Sequence, residues 1–191
     1  MRSMRREALF FEKAGPANTD ETIAAAVQRA EELGIRYLVV ASTSGDTAQK
    51  LREAVGERDM HVVCVTYHAG FREGDETMPV ERREQLRQMG VEVVIASHAL
   101  SGIERSLKNA FGTIGPVELM AHAFRLFGQG IKVAIEVAVM AADGACAPTS
   151  EDIIALGGSG KGCDAAIVLR GAHQSNFFEL RVREIIAMVS N

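Results

Sequence analysis

Apolar positions recur along this chain with two periods, and the switches between them mark out its elements. Leu9-Phe10-Phe11 reads as a short strand, and Ala14-Gly15-Pro16-Ala17 as a turn. Asn18-Thr19-Asp20-Glu21 supplies cap and capping-box chemistry for a helix. That helix carries Ile23, Ala26, Val27, Ala30 and Leu33 on one face and stops at Gly34. A strand follows at 35–41, with the uncharged run Tyr37-Leu38-Val39-Val40, and then a helix with Ala48, Leu51 and Val55 ends near Gly56. His61-Val62-Val63-Cys64-Val65 is a continuously apolar strand, as a sheet covered on both faces requires. A loop is expected from Thr66 to Met78, with Pro79 in the first turn of a charged helix. Val91 to Ala96 is the next strand and ends in Ser97-His98.

Beyond residue 100 the rhythm changes. Ile103, Leu107, Ala110 and Phe111 suit a short helix, and Pro116 opens another with Val117, Met120, Ala121, Phe124 and Phe127 on its buried face. Gly128 and Gly130 are expected to break it. Lys132 to Ala142 reads as a buried helix with Lys132 and Glu136 paired one turn apart and Gly144 at its C-terminus; its β-branched content leaves a strand as the alternative. Ile153 to Leu156, Ala165 to Leu169 and Ile185 to Val189 read as strands. These late strands lie too close for helical crossovers, so at least one should run antiparallel.

Alternating strands and helices predict a single α/β domain over 1–191, a three-layer α/β/α arrangement around a mostly parallel sheet. Ligands of such sheets bind beyond the C-terminal ends of the strands. That rule gathers Ser42–Thr47, Thr66–Gly74 and Ser97–Gly102 on one edge. It sends His68 and His98 to that edge and His61 to the opposite one.

Composition narrows the classes. A net charge of −4 argues against a duplex-binding surface. Arg2, Arg5 and Arg6 make a small basic start, but no apolar run of signal-peptide type follows. Val133–Ala142 is too short for a bilayer and is interrupted by Glu136. Cys64, Cys146 and Cys163 lack C-x-x-C spacing, so neither a disulfide frame nor a zinc site is indicated. The expectation is a cytoplasmic protein with no nucleic-acid or membrane partner, and a homo-oligomer is the default assembly.

The strongest chemical signal is the stretch Ala41-Ser42-Thr43-Ser44-Gly45-Asp46-Thr47-Ala48. It places four hydroxyls and a glycine between a strand and a helix start. Free N–H groups, the positive helix end and the hydroxyls together suit a phosphate. One hydroxyl would suffice for a helix cap. Charge-assisted hydrogen bonds of ~1.5–3 kcal/mol each from Ser42, Ser44, Thr47 and backbone N–H would hold such a group. The glycine-rich stretch Gly157-Gly158-Ser159-Gly160-Lys161-Gly162 is a second candidate. It matches neither a phosphate-binding P-loop nor a dinucleotide fingerprint, but offers close backbone approach to a planar ring; a plain turn between strands is the alternative. Lys161 is read as a solvated lysine, and His122 and His173 as structural or surface residues. A metal held by His68, His98 and Asp75 is not expected, because no pair has helical or hairpin ligand spacing.

The turn at 41–48, its place after an early strand and the later helix-glycine-strand order resemble the C-terminal domain of pyruvate kinases. Tyr67-His68-Ala69-Gly70-Phe71-Arg72-Glu73, Ser97-His98-Ala99-Leu100-Ser101-Gly102, Val139-Met140-Ala141-Ala142-Asp143 and Ile154-Ala155-Leu156-Gly157-Gly158 resemble a stand-alone family of pyruvate-kinase-like α/β proteins. The resemblance implies a pyruvate kinase C-terminal domain-like fold and a bound phosphorylated ligand, flavin mononucleotide (FMN). The phosphate would lie at Ser42, Thr43, Ser44, Gly45, Asp46 and Thr47. The ring would reach Thr66, His68, Gly70, Ser97, His98, Gly157, Gly158 and Ser159. Asp46 stands where pyruvate kinases often have a basic residue, and a carboxylate pointing inwards would repel a phosphate. A pyruvate kinase barrel needs ~250 residues, so phosphoryl transfer is not expected of these 191 residues. A flavin-dependent oxidoreductase and a phosphometabolite-sensing regulator are the alternatives, and no catalytic residue is assigned.

Overall fold

A computed structural model describes residues 5–71, 74 and 76–190. The seven-stranded sheet runs in the order β1-β7-β6-β5-β2-β3-β4. Its strands are β1 (Leu9–Phe11), β2 (Tyr37–Ala41), β3 (His61–Tyr67), β4 (Val91–Ala96), β5 (Asp152–Gly157), β6 (Ala165–Arg170) and β7 (Arg181–Val189). Only β6 is antiparallel to its neighbours, pairing Gly157 with Ala165 on one side and Ala166 with Ala187 on the other. The expected fold, a mostly parallel α/β sheet with an antiparallel late strand, is the one observed. The short connection from β5 to β6 is the reason, because a parallel return would need a long crossover.

The helices are α1 (Thr19–Leu33), α2 (Asp46–Val55), α3 (Val80–Gln88), α4 (Glu104–Phe111), α5 (Pro116–Arg125) and α6 (Gln129–Asp143). Strand alternation sorts the core into two layers. Val40, Cys64, Leu156 and Val168 pack with Ala26, Leu51 and Leu86 of α1–α3. Val39, Val63, Ala155 and Ile167 face Ala134, Val137, Ala138 and Ala141 of α6. Alanines on α6 let helix and sheet approach closely. A side chain at Gly157 would meet the Ala134 nitrogen at 2.6 Å, so the strand needs glycine there.

Several local expectations change. Thr66 and Tyr67 belong to β3 rather than to the following loop, because both pair in register with Ile95 and Ala96. Pro79 sits just before α3. Gly130 does not break a helix but lies inside α6, which starts at Gln129 and settles the helix-or-strand ambiguity. Asn18 stands at the α1 N-terminus without capping it; its amide donates to the Lys13 carbonyl instead (2.7 Å). Thr19 Oγ1 accepts from the Cys163 N–H (3.1 Å), tying α1 to the glycine-rich loop. Gly144 ends α6 as expected, but the left-handed residue is Ala145 (φ 58°).

The α4–α5 region departs most. α4 buries none of its residues, and α5 buries only Ala121. Phe127, expected in the core, is 54% exposed. Among the described residues, no helix is long and apolar enough to cross a membrane.

Candidate functional site

The chain runs β2, β3, β4 in one direction across the sheet and then returns to place β5 on the other side of β2. That reversal is the topological switch point where open α/β sheets leave a crevice. The Ser42–Thr47 turn leaves β2 at this point. Its backbone is held from below: Ser42 N–H donates to the Val65 carbonyl (3.0 Å), and Ser42 and Thr47 are both 7% exposed. Thr43, Ser44 and Asp46 are exposed. Gly45 precedes α2 with φ 87°, a left-handed conformation that suits glycine. A side chain there would also meet Leu86 Cδ1 at 2.9 Å and Arg82 Nε at 3.0 Å. The first N–H groups of α2 have no carbonyl one turn back to accept them.

Arg82 of α3 was missed by the sequence reading. Its guanidinium donates to the Ser44 carbonyl (3.2 Å), the Asp46 carboxylate (3.2 Å) and the Gln49 side chain (2.8 Å). The concern over Asp46 is thus met in space: its charge is paired with Arg82, and its other oxygen accepts from the Ser44 hydroxyl (2.8 Å). A signal existed, since Arg82 lies one turn before Leu86, the one buried residue of α3. Thr66 lies on the same face of β3 as Val62 and Cys64, the side of α2 and α3. It is 3% exposed and its hydroxyl has no partner. Burial pushes the Cys64 thiol up to about 12, so this sulfur is an inert core group.

His68 and His98 come together beyond β3 and β4, with ring centroids 6.2 Å apart. His68 Nδ1 donates to the Ala69 carbonyl (2.7 Å), leaving its other nitrogen as acceptor when neutral. His98 stacks on Phe71 at 4.2 Å, and the Arg105 guanidinium lies 4.2 Å from the Phe71 ring centre. Burial lowers the His98 pKa, and its Nδ1 is buried without a partner. Below the Ser97–Gly102 loop, Glu136 of α6 accepts from the Leu100 N–H (2.8 Å) and pairs with Lys132. Burial also lowers the Lys132 pKa, against the opposing pull of Glu136. The expected Lys132–Glu136 pair is therefore real, and it fixes the loop that carries His98.

A cleft of about 900 Å³ opens beside these histidines, lined by His68, Gly70, Phe71, Leu100, Arg105 and Arg125 among others. Of the expected ligand residues it includes His68 and Gly70, and none of Ser42–Thr47. Ser97 is exposed at the end of β4.

Gly157, Gly158 and Ser159 lie on the other side of the turn, at the end of β5. The space a side chain would take at Gly157 is filled by α6 backbone, and at Gly158 by Gly162 and Cys163. Their glycine character is explained by protein packing, which removes the argument for close approach to a ring. Asp75, named with the histidines as a metal set, lies outside the described residues, as do Arg72, Glu73 and Arg2. Among the described residues, no three His, Cys, Asp or Glu side chains are grouped to share a metal.

The family model for the pyruvate kinase alpha/beta domain matches residues 20–169. A pyruvate kinase from Cryptosporidium parvum is similar at 12% identity and TM-score 0.42, over 80% of this chain and 22% of that one. A Cryptosporidium parvum pyruvate kinase in complex with ADP gives 11% and 0.38, over 87% and 23%. A hydrogen sulfide-producing enzyme from Fusobacterium nucleatum gives 20% and 0.30, over 49% and 31%. This chain thus spans between about a fifth and a third of the length of these proteins. The family match itself takes in α1 through β6, including the hydroxyl-rich turn, both histidine loops and the glycine-rich loop. This chain belongs to the pyruvate kinase alpha/beta domain family.

Proposed function

We propose that this chain binds a phosphorylated cofactor, FMN, with the phosphate at Ser42–Thr47 and the ring directed towards His68, Phe71 and His98. The observation that carries the reading is the turn itself. It joins a helix start, a left-handed Gly45, hydroxyls at Ser42 and Thr47, an unpartnered Thr66 hydroxyl and an arginine. A dianion there gains N–H and hydroxyl donors, and Arg82 offsets the charge of Asp46. On the ring side, the Phe71–His98 stack offers an aromatic surface beside a cleft large enough for a planar heterocycle. Flavin would supply one- and two-electron redox chemistry. The protein's part is to anchor the phosphate and to present the two imidazoles at the ring edge.

Bound flavin is read directly, as absorbance of the purified protein between ~370 and ~450 nm. Added FMN should raise the melting temperature, and riboflavin, which lacks the phosphate, should raise it less. Arg82→Ala should weaken FMN by ~10–100-fold, the worth of a charged hydrogen bond, and Ser44→Glu should abolish binding. A colourless protein that gains no stability from FMN refutes the flavin assignment. Equal binding of riboflavin and FMN refutes the phosphate cradle.

A further inference from the structure

Helix α4 is mounted inside out. Its polar side holds it to the molecule: the Glu104 carboxylate accepts from the Val117 and Glu118 N–H groups (3.2 and 2.9 Å), and Lys108 pairs with Glu118. Its apolar stripe, Ile103, Leu107 and Phe111 at four-residue spacing, faces away and is 82%, 46% and 74% exposed. α5 repeats the arrangement. Leu119 and, just past the helix end, Leu126 and Phe127 fall at i, i+7 and i+8 and are 59%, 85% and 54% exposed. Phe124 on the inner side meets Phe177 instead, with ring centres 6.0 Å apart.

We propose that these two stripes form a self-complementary surface on which a second copy of this chain docks. Six large side chains leave on the order of 700 Å² of apolar surface in water, against the roughly 600–1,000 Å² per partner of a standard specific interface. A lone monomer does not ordinarily keep an apolar surface of that extent uncovered. The charges within and beside the stripes suit a like partner. Glu104, Arg105, Lys108 and Glu118 cancel and all four are already engaged with one another or with backbone, while Arg125, beside Leu126, donates to the Gln129 side chain (2.8 Å). A two-fold axis can therefore bring the patch against itself with Arg125 as the one charge not balanced within it. The regular four-residue spacing of Ile103, Leu107 and Phe111 lets two antiparallel copies of α4 interlock. The opposite flank of α4 forms a wall of the 900 Å³ cleft, so the assembly would also brace that wall.

Sedimentation velocity and native mass spectrometry of the full chain test this. The expected species is a dimer, or a larger assembly built from dimers, of the 20.6 kDa chain. Leu107→Glu with Phe111→Glu should weaken self-association on the order of 100-fold, because each copy would bring buried carboxylates against its twin. Leu119→Glu on α5 provides a second, independent break. Phe10→Glu changes a 62% exposed apolar residue on the β1 edge and should leave assembly untouched. Circular dichroism should be unaltered in the α4 variants, since α4 contributes no buried residue. A wild-type chain that stays monomeric at ~100 μM, a concentration above the Kd of any stable dimer, overturns the proposal, whether or not it captures lipid vesicles or another protein. So does an assembly that survives both the α4 and the α5 variants.

Discussion

Helices α6 and α4 both carry apolar residues at helical spacing and meet opposite fates. Twelve of the fifteen residues of α6 are buried, including a lysine and a glutamate, whereas α4 buries none of its eight. α6 crosses the centre of the sheet, over β2 and β5, where each small residue finds a strand beneath it. α4 leaves the end of β4, an edge strand, and has no sheet under it. Apolar side chains thus mark an internal seam in one helix and an outward face in the other. An apolar stripe shows that a surface needs covering; its place in the topology shows whether this chain supplies the cover.

Substitutions can break that contrast, and the largest effect is expected on the sealed side. Glu136→Leu strands the Lys132 ammonium in the core and frees the Leu100 N–H, so urea unfolding should show a loss of about 3–5 kcal/mol. A loss below ~1 kcal/mol would mean that the pair is not buried in solution. Gly157→Ala pushes a methyl into α6 backbone and should cost about 1–3 kcal/mol. Ile103→Ser, on the open side, should change stability by less than about 0.5 kcal/mol in dilute chain, where self-association does not contribute.

The smallest effect concerns pH. Burial lowers the His98 pKa in the folded state, so the unfolded chain takes up a proton first as pH falls below ~6.5. The His98 contribution is flat above that value, and stability then declines towards lower pH until the folded-state histidine also protonates. His98→Phe should flatten this segment of a melting-temperature profile. An unchanged slope in the His98 variant would show that its protonation is not linked to folding.

Much of the fold was legible because burial on both sides of a parallel sheet leaves unbroken apolar runs. Val91–Ala96 is bounded as read, and the close spacing of the last strands disclosed the antiparallel β6. The Ser42–Thr47 turn was visible because hydroxyls and glycine are concentrated over six residues. Arg82 was not, since it sits 36 positions from its partner Asp46 in a helix that reads as solvated charge. Thr66 illustrates a boundary error: a polar residue after an apolar run looks like loop, yet strand pairing with β4 carries it into the sheet. The glycines at 157 and 158 were assigned to a ligand because a sequence shows that a side chain is missing, not what fills the space.

Local physics written in the chain therefore determined the element types, the mixed sheet and the place of the hydroxyl-rich turn. Strand propensity, helix periodicity and turn chemistry act over a few residues. What only the tertiary structure decided depends on groups far apart: Arg82 against Asp46, Glu136 beneath Leu100, α6 backbone against Gly157, and an α4 face with no sheet to cover it. Such pairings follow from strand order. The hydroxyl-rich turn could be read from eight residues, but the arginine that neutralises its carboxylate could be found only after α3 had packed beside α2.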